Sequence, residues 1–106
     1  AVDGAIVAVG GAGPRASAEI LGEGGRWASL PPMRSARAEH AAASVGRRLA
    51  VVGGVGEGFV RLASCEVLDD PTGAPIWSEL PPLAAPCWGL AALGVQGKLL
   101  ILGGRE

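Results

Sequence analysis

The strongest constraint on this chain is that it repeats. Three short apolar runs close on a double glycine: AIVAVGG at residues 5–11, RLAVVGG at 48–54 and LLILGG at 99–104. Each has strand length, is rich in branched aliphatic residues and ends on a pair that punctuates the backbone. After the first two runs come a Ser, an acid and aliphatics, SAEIL at 17–21 and SCEVL at 64–68. A Trp then opens WASLPPM at 27–33 and WSELPPL at 77–83. The Trp, the Pro pair and the final aliphatic recur at an offset of 50, as do the second and third double glycines, whereas the first two are 43 apart. A fixed pattern with length changes confined to loops is the mark of a repeat architecture.

The repeat gives the composition its meaning. The 106 residues suit one small domain. With 18 Gly and 8 Pro the chain has no room for long helices, and with 49% hydrophobic residues it is not a disordered chain. The complete middle unit reads as four short strands, near 40–45, 48–53, 64–69 and 76–80. Turn chemistry lies between them at Gly46, at Gly56-Glu57-Gly58 and at Asp70-Pro71-Thr72-Gly73. Residues 49–52 are continuously apolar, as in a strand buried on both faces. Residues 36–43, ARAEHAAA, have helix propensity, but their counterpart at 87–93 is less helical and follows Pro86. Residues 36–38 are therefore expected to be loop, with the inner strand starting near His40.

Period and strand count predict an all-β chain built from β-propeller blades of four antiparallel strands. The expected layout is strands two to four of a first blade plus a junction at 1–39, a complete blade and junction at 40–88, and two strands of a following blade at 89–106. Residues 2–11 align with 95–104 at an offset of 93, so two strands claim one slot. Propellers close with about 4–8 blades, so the ring is incomplete within one chain. The chain is then a fragment of a longer propeller, one of several copies in a ring, or a piece held by another protein. It opens at Ala1 without a Met or a signal-like segment, which suggests a mature piece or an excerpt.

These residues resemble the kelch repeat. A kelch blade has an apolar run ending in Gly-Gly, a Glu on the third strand and a spaced Trp. Often Leu-Pro-x-Met, Arg and His precede the next inner strand. The middle unit offers Gly53-Gly54, Glu66, Asp69, Trp77 and Leu80-Pro81-Pro82-Leu83. The earlier unit offers Gly10-Gly11, Glu19, Trp27, Leu30-Pro31-Pro32-Met33, Arg37 and His40. Leu21 and Leu68 stand where the family usually has Tyr, and Cys87 and Leu90 replace Arg37 and His40 at the second junction. The resemblance implies structural roles for Gly10, Gly11, Gly53, Gly54, Gly103 and Gly104, and for Trp27 and Trp77 as wedges between blades. A buried Trp removes about 150–250 Å² from water.

Chemical sites are sparse. Gly11-Ala12-Gly13-Pro14-Arg15-Ala16 matches a dinucleotide fingerprint, but Gly22, Gly24 and Gly25 leave no helix to face a pyrophosphate, so no cofactor is expected. His40, the single His, and the distant Cys65 and Cys87 make no zinc constellation. His40 beside Arg37 and Glu39 has the residue types for acid–base work, but a hydrogen-bonded blade residue is the better account of it. Glu66, Asp69 and Asp70 could bind a cation, although a turn better explains the aspartates. Net charge is −1, giving no excess for nucleic acid, and no apolar stretch is long enough to span a bilayer. Two Cys point to a reduced, intracellular setting rather than a disulfide scaffold.

What the resemblance implies is a non-catalytic protein-binding or scaffold module. Its contacts would come from the loops joining strand two to three and strand four to the next strand one, here 12–16, 34–39, 56–61 and 84–88. These loops carry Arg15, Arg34, Arg37, Glu57, Phe59, Arg61 and Trp88, residue types including the Arg and aromatics that dominate interaction hot spots. The partner is a protein or further copies of the chain. The family also includes enzymes. Its copper oxidases use tyrosine ligation, and this chain has no Tyr. A mutarotase acting on sialic acid would need Arg and Glu at one mouth, for which Arg37 and Glu39 are the candidates.

Overall fold

A computed structural model describes residues 6–10, 15–21 and 24–105. Nine strands form three antiparallel sheets among them. The first sheet orders β1 (Ile6–Val9), β2 (Ala18–Leu21) and β3 (Trp27–Leu30). The second orders β4 (Ala41–Val45), β5 (Arg48–Val52), β6 (Cys65–Asp69) and β7 (Ile76–Leu80). The third pairs β8 (Trp88–Val95) with β9 (Lys98–Arg105). The chain is all-β and open, a set of partial propeller blades rather than a closed ring.

Turn residues set the registers. Gly46 lies at φ 62 between β4 and β5, so Val45 faces Arg48 and Ala41 faces Val52. Gln96 and Gly97 are both left-handed, at φ 49 and 75, as a two-residue hairpin whose twist matches its strands requires. Asp70 organises the β6–β7 turn: its carbonyl accepts from Gly73 N at 3.0 Å and its carboxylate from Ala74 N at 2.9 Å. The helix-prone 36–43 segment forms no helix. Sheet partners satisfy its backbone instead, Ala38 bridging Val55 and β4 pairing with β5 from Ala41. Ladder bonds along the segment outweigh its weak local propensity.

The core lies on the two faces of the second sheet. One face buries Leu49, Val51 and Leu68 with Met33, against Val7, Val9 and Leu30 of the first sheet. The other buries Ala41, Val52 and Cys65 against Leu90, Ala92, Leu99 and Ile101 of the third. Alternate residues of β5 thus serve opposite neighbours, which explains its unbroken apolar run. Trp77 packs on the first cluster, and its indole Nε1 donates to Pro31 O at 2.6 Å. Trp27, in the same sequence context, is 50% exposed.

The double glycines sit where adjacent sheets touch. A Cβ on Gly53, at φ +60, would lie 2.5 Å from Cys87 O and 2.9 Å from Leu90 Cδ1. A Cβ on Gly10, at φ +67, would lie 2.7 Å from Arg37 O and 2.6 Å from His40 Cε1. Cys87 and Leu90 are the counterparts of Arg37 and His40, so one close approach occurs at both junctions. Gly11 lies outside the described residues, and Gly103 and Gly104 lie in β9.

Candidate interaction face

The candidate loops converge at one end of the sheets and are laced by backbone hydrogen bonds. Arg15 and Arg37 exchange bonds at 3.4 and 2.9 Å, and Ala38 and Val55 at 2.9 and 2.8 Å. Val55 bridges Arg61, Cys87 N donates to Leu62 O at 3.2 Å, and Gly89 N donates to Glu39 O at 3.0 Å. This lacing pairs the backbone polar groups of irregular segments. Residues 12–14 of the first loop lie outside the described residues.

One predicted contact turns inward. Arg37 is 1% exposed and cannot meet a partner. Its Nε and Nη2 donate to Glu66 Oε2 at 3.3 and 2.8 Å. Its Nη1 donates to Gly53 O at 2.9 Å and Ser64 O at 2.7 Å, and its Nη2 to Ser64 Oγ at 3.2 Å. Glu66, also 1% exposed, accepts in addition from Arg34 N at 2.7 Å and Ser35 N at 3.2 Å. The reason is electrostatic: a buried carboxylate needs donors, and the junction loop supplies them from side chain and backbone together. The pair clamps the loop between the first two sheets onto the second. Glu66 in the motif was the one sign that something on this loop must be buried.

The other candidates stay outside. Arg15 and Glu57 are exposed, and Arg34 makes a surface ion pair with Glu79 at 3.5 Å. Phe59 is 85% exposed and Val60 60%. Phe59 follows Gly58 in a short 3₁₀ turn, Glu57–Phe59, and both residues are left-handed, at φ 60 and 68. A bulky aromatic in that region is a backbone outlier, and its ring stands in solvent. Arg61 Cζ lies 5.9 Å from the centroid of the half-buried Trp88, a cation–π contact between the β5–β6 loop and the first residue of β8. Sequence reasoning passed over Val60, although an apolar pair in a glycine-rich loop was there to be read.

His40 and Cys65 serve the interior. The His40 imidazole is half-buried and its Nδ1 has no hydrogen-bond partner among the described residues. Burial pushes its pKa below the ordinary 6.5, a hydrogen bond to the Val9 backbone opposes this, and the nearby Arg37 charge lowers it further. The unfolded chain therefore binds a proton that the folded chain resists. This contribution to stability is complete above pH 6.5 and is lost as pH falls toward the folded pKa. Stability measured from pH 7.5 to 5 is expected to fall in the wild type and to fall less in His40→Leu, the residue type of the next junction. Burial raises the Cys65 thiol pKa, which keeps it protonated and inert. No group of three or more metal-ligating side chains occurs among the described residues, and no helix there is long and apolar enough to cross a membrane.

No family model matches the chain. Among curated proteins it is 38% identical over 80 residues to an F-box/kelch-repeat protein of Arabidopsis thaliana, covering 76% of this chain and 21% of that protein. It is 39% identical over 80 residues to Kelch-like protein 34 of Homo sapiens, covering 74% and 12%. Among solved structures, that of YjhT superposes with a TM-score of 0.73 at 18% identity, covering 84% of this chain and 27% of that one. The chain thus spans between 12% and 27% of the length of these proteins.

Proposed function

The chain belongs to the kelch-repeat family, and from that premise we propose that it is a non-catalytic interaction module that binds a protein partner through its loop face. The observation that carries this reading is the tip of the β5–β6 loop. Its left-handed, solvent-facing Phe59 and the exposed Val60 stand next in sequence to the Arg61–Trp88 contact. An exposed aromatic side chain beside an Arg–Trp contact has the residue types that dominate binding hot spots. Arg15 and Glu57 supply exposed charge around it. Binding proceeds by burial of Phe59 and Val60 with charge complementarity at the rim, and no bond is made or broken.

The sugar-acting alternative requires Arg37 and Glu39 to converge on an open mouth. Burial of the Arg37 guanidinium against Glu66 favours the binding reading over that alternative. The test of the binding reading uses Phe59→Ser and Arg61→Ala. Both are surface changes, and each is expected to weaken binding to a captured, purified partner about tenfold or more in calorimetry, with unaltered circular dichroism. Unchanged affinity in both variants would sink the assignment of this loop.

A further inference from the structure

Ser64 stands at the rim of the buried Arg37–Glu66 clamp and is itself exposed. It lies one residue before β6 and two before Glu66, so the two side chains share one face of that strand. Cys65, between them, belongs to the cluster on the opposite face. The chain supplies the backbone neighbours on both sides of this segment. The Ser64 carbonyl accepts from Gly53 N at 3.1 Å, and the adjacent Ala63 O accepts from Leu83 N at 2.8 Å. The Ser64 Oγ accepts from Arg37 Nη2 at 3.2 Å, so the hydroxyl proton is turned away from the guanidinium.

Three residues earlier stands the exposed Arg61, in the run Arg61-Leu62-Ala63-Ser64. We propose that Ser64 is a phosphorylation site, modified by a protein kinase whose acidic groove reads an arginine three residues before the acceptor. The co-substrate is a nucleoside triphosphate. The Ser64 Oγ–phosphorus bond forms and the bond from the γ-phosphorus to the β–γ bridging oxygen breaks. The nucleoside diphosphate leaves, and the hydroxyl proton passes to the kinase's catalytic aspartate. Residues 62–64 belong to no strand, and the Arg61 contact with Trp88 is a surface one that a stronger carboxylate partner displaces. Ser17 holds the same place one repeat earlier and is exposed too, but Pro14 stands three residues before it. Ser17 is therefore no acceptor for the same kinase.

The phosphate acts on the clamp because Arg37 has nothing left to give. A guanidinium carries five N–H groups. Those of Arg37 are all committed: two to Glu66 Oε2, two to the carbonyls of Gly53 and Ser64, and one to the Ser64 Oγ. A phosphate on that Oγ adds a charge of about −1.5 to −2 and three strong acceptor oxygens. It gains further bonds to Arg37 only by drawing donors from Glu66. The carboxylate then stays buried, short of donors and beside a second anion on its own strand face. The loss falls on the junction loop, whose Arg34 and Ser35 N–H groups are held by Glu66. Phosphorylation thus unclamps this loop from the second sheet. The proposal stands apart from the loop-face reading, since its readouts are covalent labelling and stability and need no partner.

The test incubates the whole chain with γ-labelled Mg-ATP and a purified kinase that selects arginine three residues before serine. A synthetic peptide of residues 57–68 is labelled in parallel. Labelling is expected to reach about one phosphate per chain, placed on Ser64 by fragment mass spectrometry, with Ser17 unmodified. Arg61→Ala is expected to slow labelling about tenfold. Ser64→Ala abolishes it and keeps a urea midpoint close to that of the wild type. The phosphorylated chain is expected to unfold at a midpoint about 1 M urea lower. Glu66→Gln, with no charge to repel the phosphate, is expected to lose less on phosphorylation. A labelled peptide beside an unlabelled chain overturns the proposal, because the fold then withholds the hydroxyl. An unlabelled peptide overturns it as well, because the motif is then not read. So does full-rate labelling of Arg61→Ala, or a labelled chain whose midpoint is unchanged or raised.

Discussion

Replacing Arg37 with Leu is expected to cost about 3–5 kcal/mol, enough to consume much of the about 5–15 kcal/mol that holds a small domain folded. The size comes from what the substitution leaves behind. Glu66 stays buried with its charge and keeps only the backbone donors of Arg34 and Ser35. The carbonyls of Gly53 and Ser64 each lose the guanidinium donor at 2.9 and 2.7 Å. Urea titration followed by tryptophan fluorescence measures the loss. Arg37→Leu combined with Glu66→Leu is expected to be less damaging than the sum of the single changes, because the second removes the stranded carboxylate. A single variant within 1 kcal/mol of the wild type would show that the clamp does not hold the junction.

Gly53→Ala is the second large effect. Left-handed backbone costs a residue with a Cβ about 1–2 kcal/mol by itself. At Gly53 the added methyl must also enter a space where Cys87 O would stand 2.5 Å away. Relief requires the second and third sheets to separate, which breaks the Gly54 N–H bond to Cys87 O at 2.8 Å and loosens the packing of Leu90. Gly97→Ala isolates the conformational part, since Gly97 has φ +75 with open space around it. Denaturation midpoints should therefore rank wild type above Gly97→Ala, and Gly97→Ala well above Gly53→Ala. Equal losses at the two positions would mean that the inter-sheet contact at Gly53 is not tight.

Much of the architecture was legible in the residues themselves. Strands expected near 40–45, 48–53, 64–69 and 76–80 from apolar runs broken by Gly and Pro form at Ala41–Val45, Arg48–Val52, Cys65–Asp69 and Ile76–Leu80, within one residue at each end, because these breaks are local. Pairing between consecutive strands follows from the short turns. The inward turn of Arg37 was not legible, because it depends on Glu66 twenty-nine residues further on and on a sheet face that no local pattern reports. Nor was the backbone at Phe59, since a left-handed aromatic is a choice that local propensity argues against.

Trp27 and Trp77 show where the division lies. Both open the same motif, begin or nearly begin an outer strand and precede the same Pro pair. Sequence determined by itself that each would stand in the same place on its sheet, because strand period and turn residues act within a few positions. Tertiary structure alone decided that Trp77 is packed with its indole bonded to Pro31 and that Trp27 is half in water. Burial is set by whatever lies across the sheet face, and that surface comes from another repeat.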